Sequence, residues 1–114
     1  MAELKVLNRK RGTIKARFTQ FKNYLDELVG DSSDIKLDKV DLIDLESRMN
    51  KIQSSLLELE DVQRDIELMV SDDDFENQVD QRLQLESSFH QLISIGKKIL
   101  SDNADADIPD NNKI

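Results

Sequence analysis

The chain is expected to be all-α: an elongated antiparallel three-helix bundle, or coiled coil, with a disordered acidic C-terminal tail. Three observations carry that expectation. Apolar residues recur at alternating steps of three and four along three long segments, a spacing that keeps them on one face of a helix and on neither face of a strand. Short polar connectors separate the segments, so consecutive helices run antiparallel. Beyond about residue 100 the periodicity stops and the chain turns acidic. The expected organisation is a bundle over residues 1–100, with helices at about 3–29, 38–70 and 74–100, and a flexible tail over 101–114.

The first stripe runs Leu4, Leu7, Arg11, Ile14, Phe18, Phe21, Leu25, Leu28, with one basic interruption. Gly30 ends this helix, because glycine tolerates the left-handed backbone of a C-terminal cap, and Asp31, Ser32, Ser33 and Asp34 form a polar connector. The second stripe runs Leu42, Leu45, Met49, Ile52, Leu56, Leu59, Val62, Ile66, Met69. Asp38 can accept from the open amides of its first turn, with Asp41 three residues on. Two successive steps of three, at Leu59, Val62 and the preceding Leu56, predict a local shift of the seam with overwinding. The third stripe runs Phe75, Val79, Arg82, Glu86, Phe89, Ile93, Gly96, Leu100. Ser71, Asp72, Asp73 and Asp74 precede it as turn and cap. The segment from Ser101, with four Asp, three Asn and Pro109, is too polar to compensate the entropy of ordering.

With 114 residues, 38% hydrophobic and 35% charged, the chain suffices for one domain or one rod with a thin aliphatic core. No cysteine is present, which excludes disulfides and thiolate metal sites. Charge interrupts every apolar stretch, so no transmembrane segment is expected, and the basic amino end lacks the features of a signal peptide. A cytoplasmic location is the simplest reading, with nuclear access left open. The net charge of −8 conceals a polarity: residues 1–22 hold seven basic residues against one acid, and the remainder holds nine against 23. Such a chain can interact with itself, with other copies or with a phosphate polymer.

Catalytic chemistry is nearly unrepresented. His90 is the single histidine and has no cysteine partner; a surface or boundary position is expected. The acidic runs at Asp72–Asp74 and Asp102–Asp107 lack the central glycine and closing glutamate of a calcium loop, and capping explains them. No catalytic, metal or cofactor-binding residue and no small-molecule substrate is expected. Gly12 and Gly96 fall inside helices, where glycine costs about 1 kcal/mol relative to alanine; Gly96 lies on its seam, which favours close helix approach. Arg11, Arg82 and Glu86 are polar residues in seam positions. An up-down-up arrangement puts Arg11 at about the level of Arg82, one turn from Glu86, so an interhelical ion cluster that sets register is one reading. Outward snorkelling of both arginines is the other. Arg9, Lys10, Lys15, Arg17 and Lys22 form a candidate basic face, suited either to nonspecific phosphate contacts or to complementing the acidic second helix.

At Lys10, Arg11, Gly12, Thr13, Ile14 and Lys15, followed by Phe18, Thr19 and Phe21, the chain resembles the gag-like amino-terminal domain, of unknown function, of Bel/Pao-type LTR retrotransposon polyproteins. The likeness continues through Leu45, Glu46, Arg48, Met49, Lys51 and Ile52, then Val62, Gln63, Ile66 and Glu67, and resumes at Arg82, Leu85, Glu86, Phe89, Ile93 and Lys97. Leu85 stands where that family has an aromatic residue. The resemblance implies a non-catalytic segment of a retroelement polyprotein, or a remnant of one, that assists self-association; the family's enzymatic regions lie later in the polyprotein, so no catalytic residue carries over. The expected partners are therefore proteins, either further copies or a polyprotein. Nucleic-acid binding through the first helix and a generic coiled-coil adaptor are the alternatives. Heptads do not themselves distinguish intramolecular from intermolecular partners.

Overall fold

The structure, a computed structural model, describes residues 3–30 and 36–107, with side chains as far as Asn103. Helix α1 spans Leu4–Val29, α2 spans Lys39–Met69 and α3 spans Asp72–Asp107, with no strand among the described residues. This is the expected all-α antiparallel bundle, elongated to 60 × 31 × 21 Å. The connector Asp31 to Asp34 and the last seven residues, 108–114, lie outside the described residues.

The helix ends follow local chemistry. At the end of α1, Gly30 adopts φ +52°, and its N–H donates to the Asp26 carbonyl; a side chain there would be strained. At the start of α2 the Asp38 carboxylate accepts from the Asp41 N–H at 2.8 Å, the cap that the spacing predicts. Helix α3 starts at Asp72, two residues earlier than expected, because Asp72, Asp73 and Asp74 themselves form the first turn. Three carboxylates are favoured there by the positive end of the helix.

Its other end needs a larger correction. Residues 101–107, assigned to a flexible tail, continue α3 by seven residues. The reason is tertiary: Asn103 is buried, donates to the Ile99 carbonyl at 2.8 Å and accepts from the Leu37 N–H at 2.9 Å. The extra turns thus satisfy an amide in the approach to α2 that an apolar or absent residue would leave open.

Helix α2 is the shared element. It packs along most of its length against both α1 and α3, whereas α1 and α3 meet along a shorter line. Leu45, Leu59 and Phe89 have no exposed surface, and Phe18 reaches across from α1 to Phe89 with ring centroids 4.7 Å apart. Tyr24 lies at the other end of α1, its ring covered by the Arg48 guanidinium at 4.2 Å. Partial burial, and then Asp44 beside it, push its hydroxyl up to about 12.

The seam of α2 does not shift. After Leu56 and Leu59 the buried positions are Gln63 and Ile66, steps of four and three, while Val62 is half-buried at the edge. An amide therefore occupies the position that the apolar reading gave to Val62, and the expected overwinding has no cause.

The two helical glycines differ. A Cβ at Gly12 would meet nothing within 4 Å, but one at Gly96 would collide with Sδ of buried Met49, with Cε 3.1 Å away. Gly96 is therefore a seat for Met49 from the facing helix. Gly12→Ala is expected to raise the unfolding free energy by about 1 kcal/mol through helix propensity alone. Gly96→Ala should lower it by about 1 kcal/mol, because overpacking outweighs that gain. Denaturant melts of both variants, and of Gly96→Ala with Met49→Val, check this; the second substitution should recover part of the loss.

Candidate functional site

The polar residues of the seams gather into two groups. Arg11, on the buried side of α1, has a guanidinium with donors only, so anything facing it must accept. Its Nη1 donates to Gln63 Oε1 on α2 at 3.1 Å and to Gln78 Oε1 on α3 at 2.8 Å, and Nη2 donates to Asn8 Oδ1 at 3.0 Å. Both glutamines thereby turn their Nε2 groups away. That of Gln63 donates to the Gln78 carbonyl at 3.0 Å and to its Oε1 at 3.2 Å, and that of Gln78 donates to Asp74 Oδ2 at 3.1 Å. Gln63 is fully buried and Gln78 nearly so, yet no buried side-chain polar atom among the described residues lacks a partner. Burial lowers the Arg11 pKa, and Asp74 opposes the shift.

Arg82 and Glu86 belong to the second group. Arg82 Nε donates to Glu67 Oε2 across the α2–α3 interface at 2.8 Å, and Nη1 lies 3.8 Å from Glu86 Oε1 on its own helix. The expected cluster of Arg11, Arg82 and Glu86 is thus divided. Arg82 and Glu86 are together, with Glu67 as the interhelical partner, while Arg11 sits one turn earlier along α3, on neutral amides. Neither arginine reading described Arg11: it turns inward, and its partners are not ionic. Sequence reasoning missed Gln63 and Gln78. The signal was present, because a seam arginine requires acceptors at seam positions of the facing helices, and Gln63 stands four residues after Leu59 and Gln78 four before Arg82.

The five residues proposed as one basic face do not share one. Lys10 and Arg17 line a groove of about 390 Å³ between α1 and α2, with Thr13, Ile14, Val62, Glu58 and Asp61. Arg17 bridges it to Glu58 at 2.8 Å; both groups are well exposed, so the pair adds little stability. Lys15 lies at the opposite edge of α1, beside Gln81 and Gln84 of α3. Lys22 pairs with Asp26 on its own helix at 3.2 Å. Arg9, with Lys5, projects from the outer surface. Helical projection explains the scatter: positions 9, 10, 15, 17 and 22, at 100° per residue, circle the helix rather than stack.

His90 is exposed. Among the described residues no group of three His, Asp or Glu side chains could hold a metal ion, and no helix is long and apolar enough to cross a membrane. No family model, curated protein or solved structure matches this chain.

The Arg11 layer yields a stability test. A double-mutant cycle on Arg11 and Gln78 is expected to show coupling of about 1–2 kcal/mol, and one on Arg11 and Glu86 none. Gln63→Ala alone should cost about 2–3 kcal/mol, since it strips two interhelical partners from a buried site. Replacing Arg11, Gln63 and Gln78 together by Leu should restore stability, as apolar packing does for other buried polar groups. Urea denaturation reads all of these.

Proposed function

We propose that this chain is a non-catalytic helical module whose task is protein association, with further copies of itself as its partner, acting as the Gag-side segment of a Bel/Pao-type retroelement polyprotein or a remnant of one. The carrying observation is the placement of its exposed apolar side chains. Single exposed hydrophobics are ordinary, but grouped ones mark contact surfaces. Val6, Met69 and Phe75 are 41–45% exposed near one end of the rod. Val40, Ile43, Leu57 and Leu68, 61–78% exposed on the side of α2 opposite its core, add a stripe that polar residues interrupt. Polar side chains that could have carried chemistry are engaged instead in holding helices together: Arg11, Gln63, Gln78, Arg82 and Glu67.

The retroelement part of this reading rests on the residue pattern from Lys10 through Lys97, which spans all three helices. In that pattern Arg11 and Gln63 are partners in one polar layer, and Arg82, Glu86 and Glu67 are partners in the α2–α3 clamp. The likeness therefore falls on residues that set helix register.

One observation favours a second reading, nucleic-acid binding: Lys5, Arg9, Lys10 and Lys15 make no ion pair within 4 Å among the described residues. Their scatter around α1 suits loose backbone contact rather than base readout.

Sedimentation equilibrium separates these readings. Self-association predicts a mass that rises above the 13.1 kDa monomer with concentration, and a strict monomer at the highest soluble concentration removes it. Phosphate binding predicts salt-sensitive affinity for single-stranded DNA that drops at least tenfold in Arg9→Glu with Lys10→Glu; Arg11 is left intact because its loss would unsettle the bundle.

A further inference from the structure

We propose that two copies of this chain join tip to tip, through the end of the bundle that carries the start of α1, the end of α2 and the start of α3. This rests on the self-association reading and names the surface that would perform it. The Arg11 layer divides the apolar interior. The contiguous core lies on one side of it, from Ile14 to Ile99, whereas Leu7 and Ile66 are buried beyond it and stand apart from that core. At this far end the seams run out into solvent. Met69 and Phe75, both seam residues near this end, are 41% and 45% exposed, and Val6 is 44% exposed. Val6 stands one turn before Lys10 and Met69 two turns after Val62, on the helix faces that line the α1–α2 groove farther along the rod. Each of the three helices thus presents an exposed apolar side chain at this end.

Charge identifies the occupant. Lys5 and Arg9 project from the α1 side of the tip, and Asp72 and Asp73 from the α3 side; all four are exposed, and none makes an ion pair within 4 Å among the described residues. A two-fold axis across the tip would place the basic edge of each copy over the acidic edge of the other, with the apolar centre between them, the arrangement of an isologous interface. A phosphate polymer or an anionic membrane would be drawn to one edge and repelled by the other. The long stripe on α2 is a poorer dimer seam: its middle is Ser47, Asn50 and Ser54, and beyond Leu57 come Asp61 and Arg64, which pair with each other at 3.5 Å.

The cross-section of 31 × 21 Å limits the contact to about 600 Å² per copy, the low end for a specific interface. The dimer should accordingly be weak, dissociating in the micromolar range or above. It would be a rod of about twice the 60 Å length of one copy.

Sedimentation equilibrium and small-angle scattering on charge-swapped pairs test this. Lys5→Glu with Arg9→Glu turns the basic edge acidic, and Asp72→Lys with Asp73→Lys turns the acidic edge basic, with Glu3, Asp74 and Glu76 kept in both. Each variant alone should dimerise at least tenfold more weakly than wild type, and their equimolar mixture should form a one-to-one heterodimer of doubled length that high salt dissociates. Phe75→Gln should weaken dimers of the wild-type charge pattern. Circular dichroism melts confirm that each variant is folded; a swap that unfolds is replaced by its single substitutions. A wild-type protein that stays monomeric at all concentrations overturns both this proposal and the self-association reading. Wild-type dimers that are unaffected by the swaps, or dimers no longer than one copy, overturn the tip contact alone. A monomer that binds single-stranded DNA through Lys5 and Arg9 overturns it in favour of a polyanion.

Discussion

Everything in this bundle accommodates one guanidinium placed inside a hydrophobic seam. Arg11 cannot be deprotonated to suit its surroundings and has nothing but donors to offer. A helix that turns it inward must bring acceptors to the same level from both neighbours. Gln63 and Gln78 do so, and their remaining amide hydrogens find a carbonyl and a carboxylate in turn. The network closes with no buried side-chain polar atom left over among the described residues. Sliding α2 by one turn, about 5.4 Å, would bring Leu59 or Ile66 to Arg11 in place of Gln63, and sliding α3 one way would bring Arg82. Apolar layers tolerate such a slip far better, because one leucine replaces another. The polar layer therefore disfavours such a slip, whatever its own net stability.

The same layer explains why the hydrophobic interior has two parts. Below it Phe18, Phe89, Leu45 and Leu59 make the dense region where α1, α2 and α3 all meet. Above it only Leu7 and Ile66 are closed off, and the remaining seam residues reach the end of the rod partly uncovered. A second polar contact, Arg82 with Glu67, clamps α2 to α3 without involving α1. Helix α1 is accordingly held by α2, by the Arg11 layer and by the Phe18 contact, while α2 and α3 form a hairpin with its own ties at both ends, Gln63 with Gln78 at one and Leu37 with Asn103 at the other.

Electrostatics adds a polarity to this frame. The basic part of α1 lies beside the acidic end of the α2–α3 hairpin, yet few of those charges pair directly, Arg17 with Glu58 being the one α1–α2 ion pair among the described residues. Long-range attraction of opposite surfaces can still favour the folded arrangement, weakly and in a salt-dependent way. The uncompensated remainder faces outward.

Much of the fold was legible because helical periodicity is a local property. The Gly30 stop and the Asp38 cap are written in short windows of residues, and the structure has them where those windows place them; the three seams hold in outline, with Gln63 in place of Val62 and with Leu92 and Ile99 buried beside the expected α3 stripe. The helical residues 101–107 were not legible, since what keeps them ordered is an amide of Leu37, distant in sequence. Arg11, Arg82 and Glu86 could be recognised as exceptions within their seams, but not assigned partners. That assignment depends on the axial offset between α1 and α3, which packing around Phe18 and Phe89 determines and no single helix encodes. Composition and spacing by themselves determined three amphipathic helices and a charge-divided chain. Tertiary structure alone decided that Arg11 meets glutamines and that one end of the bundle is left open.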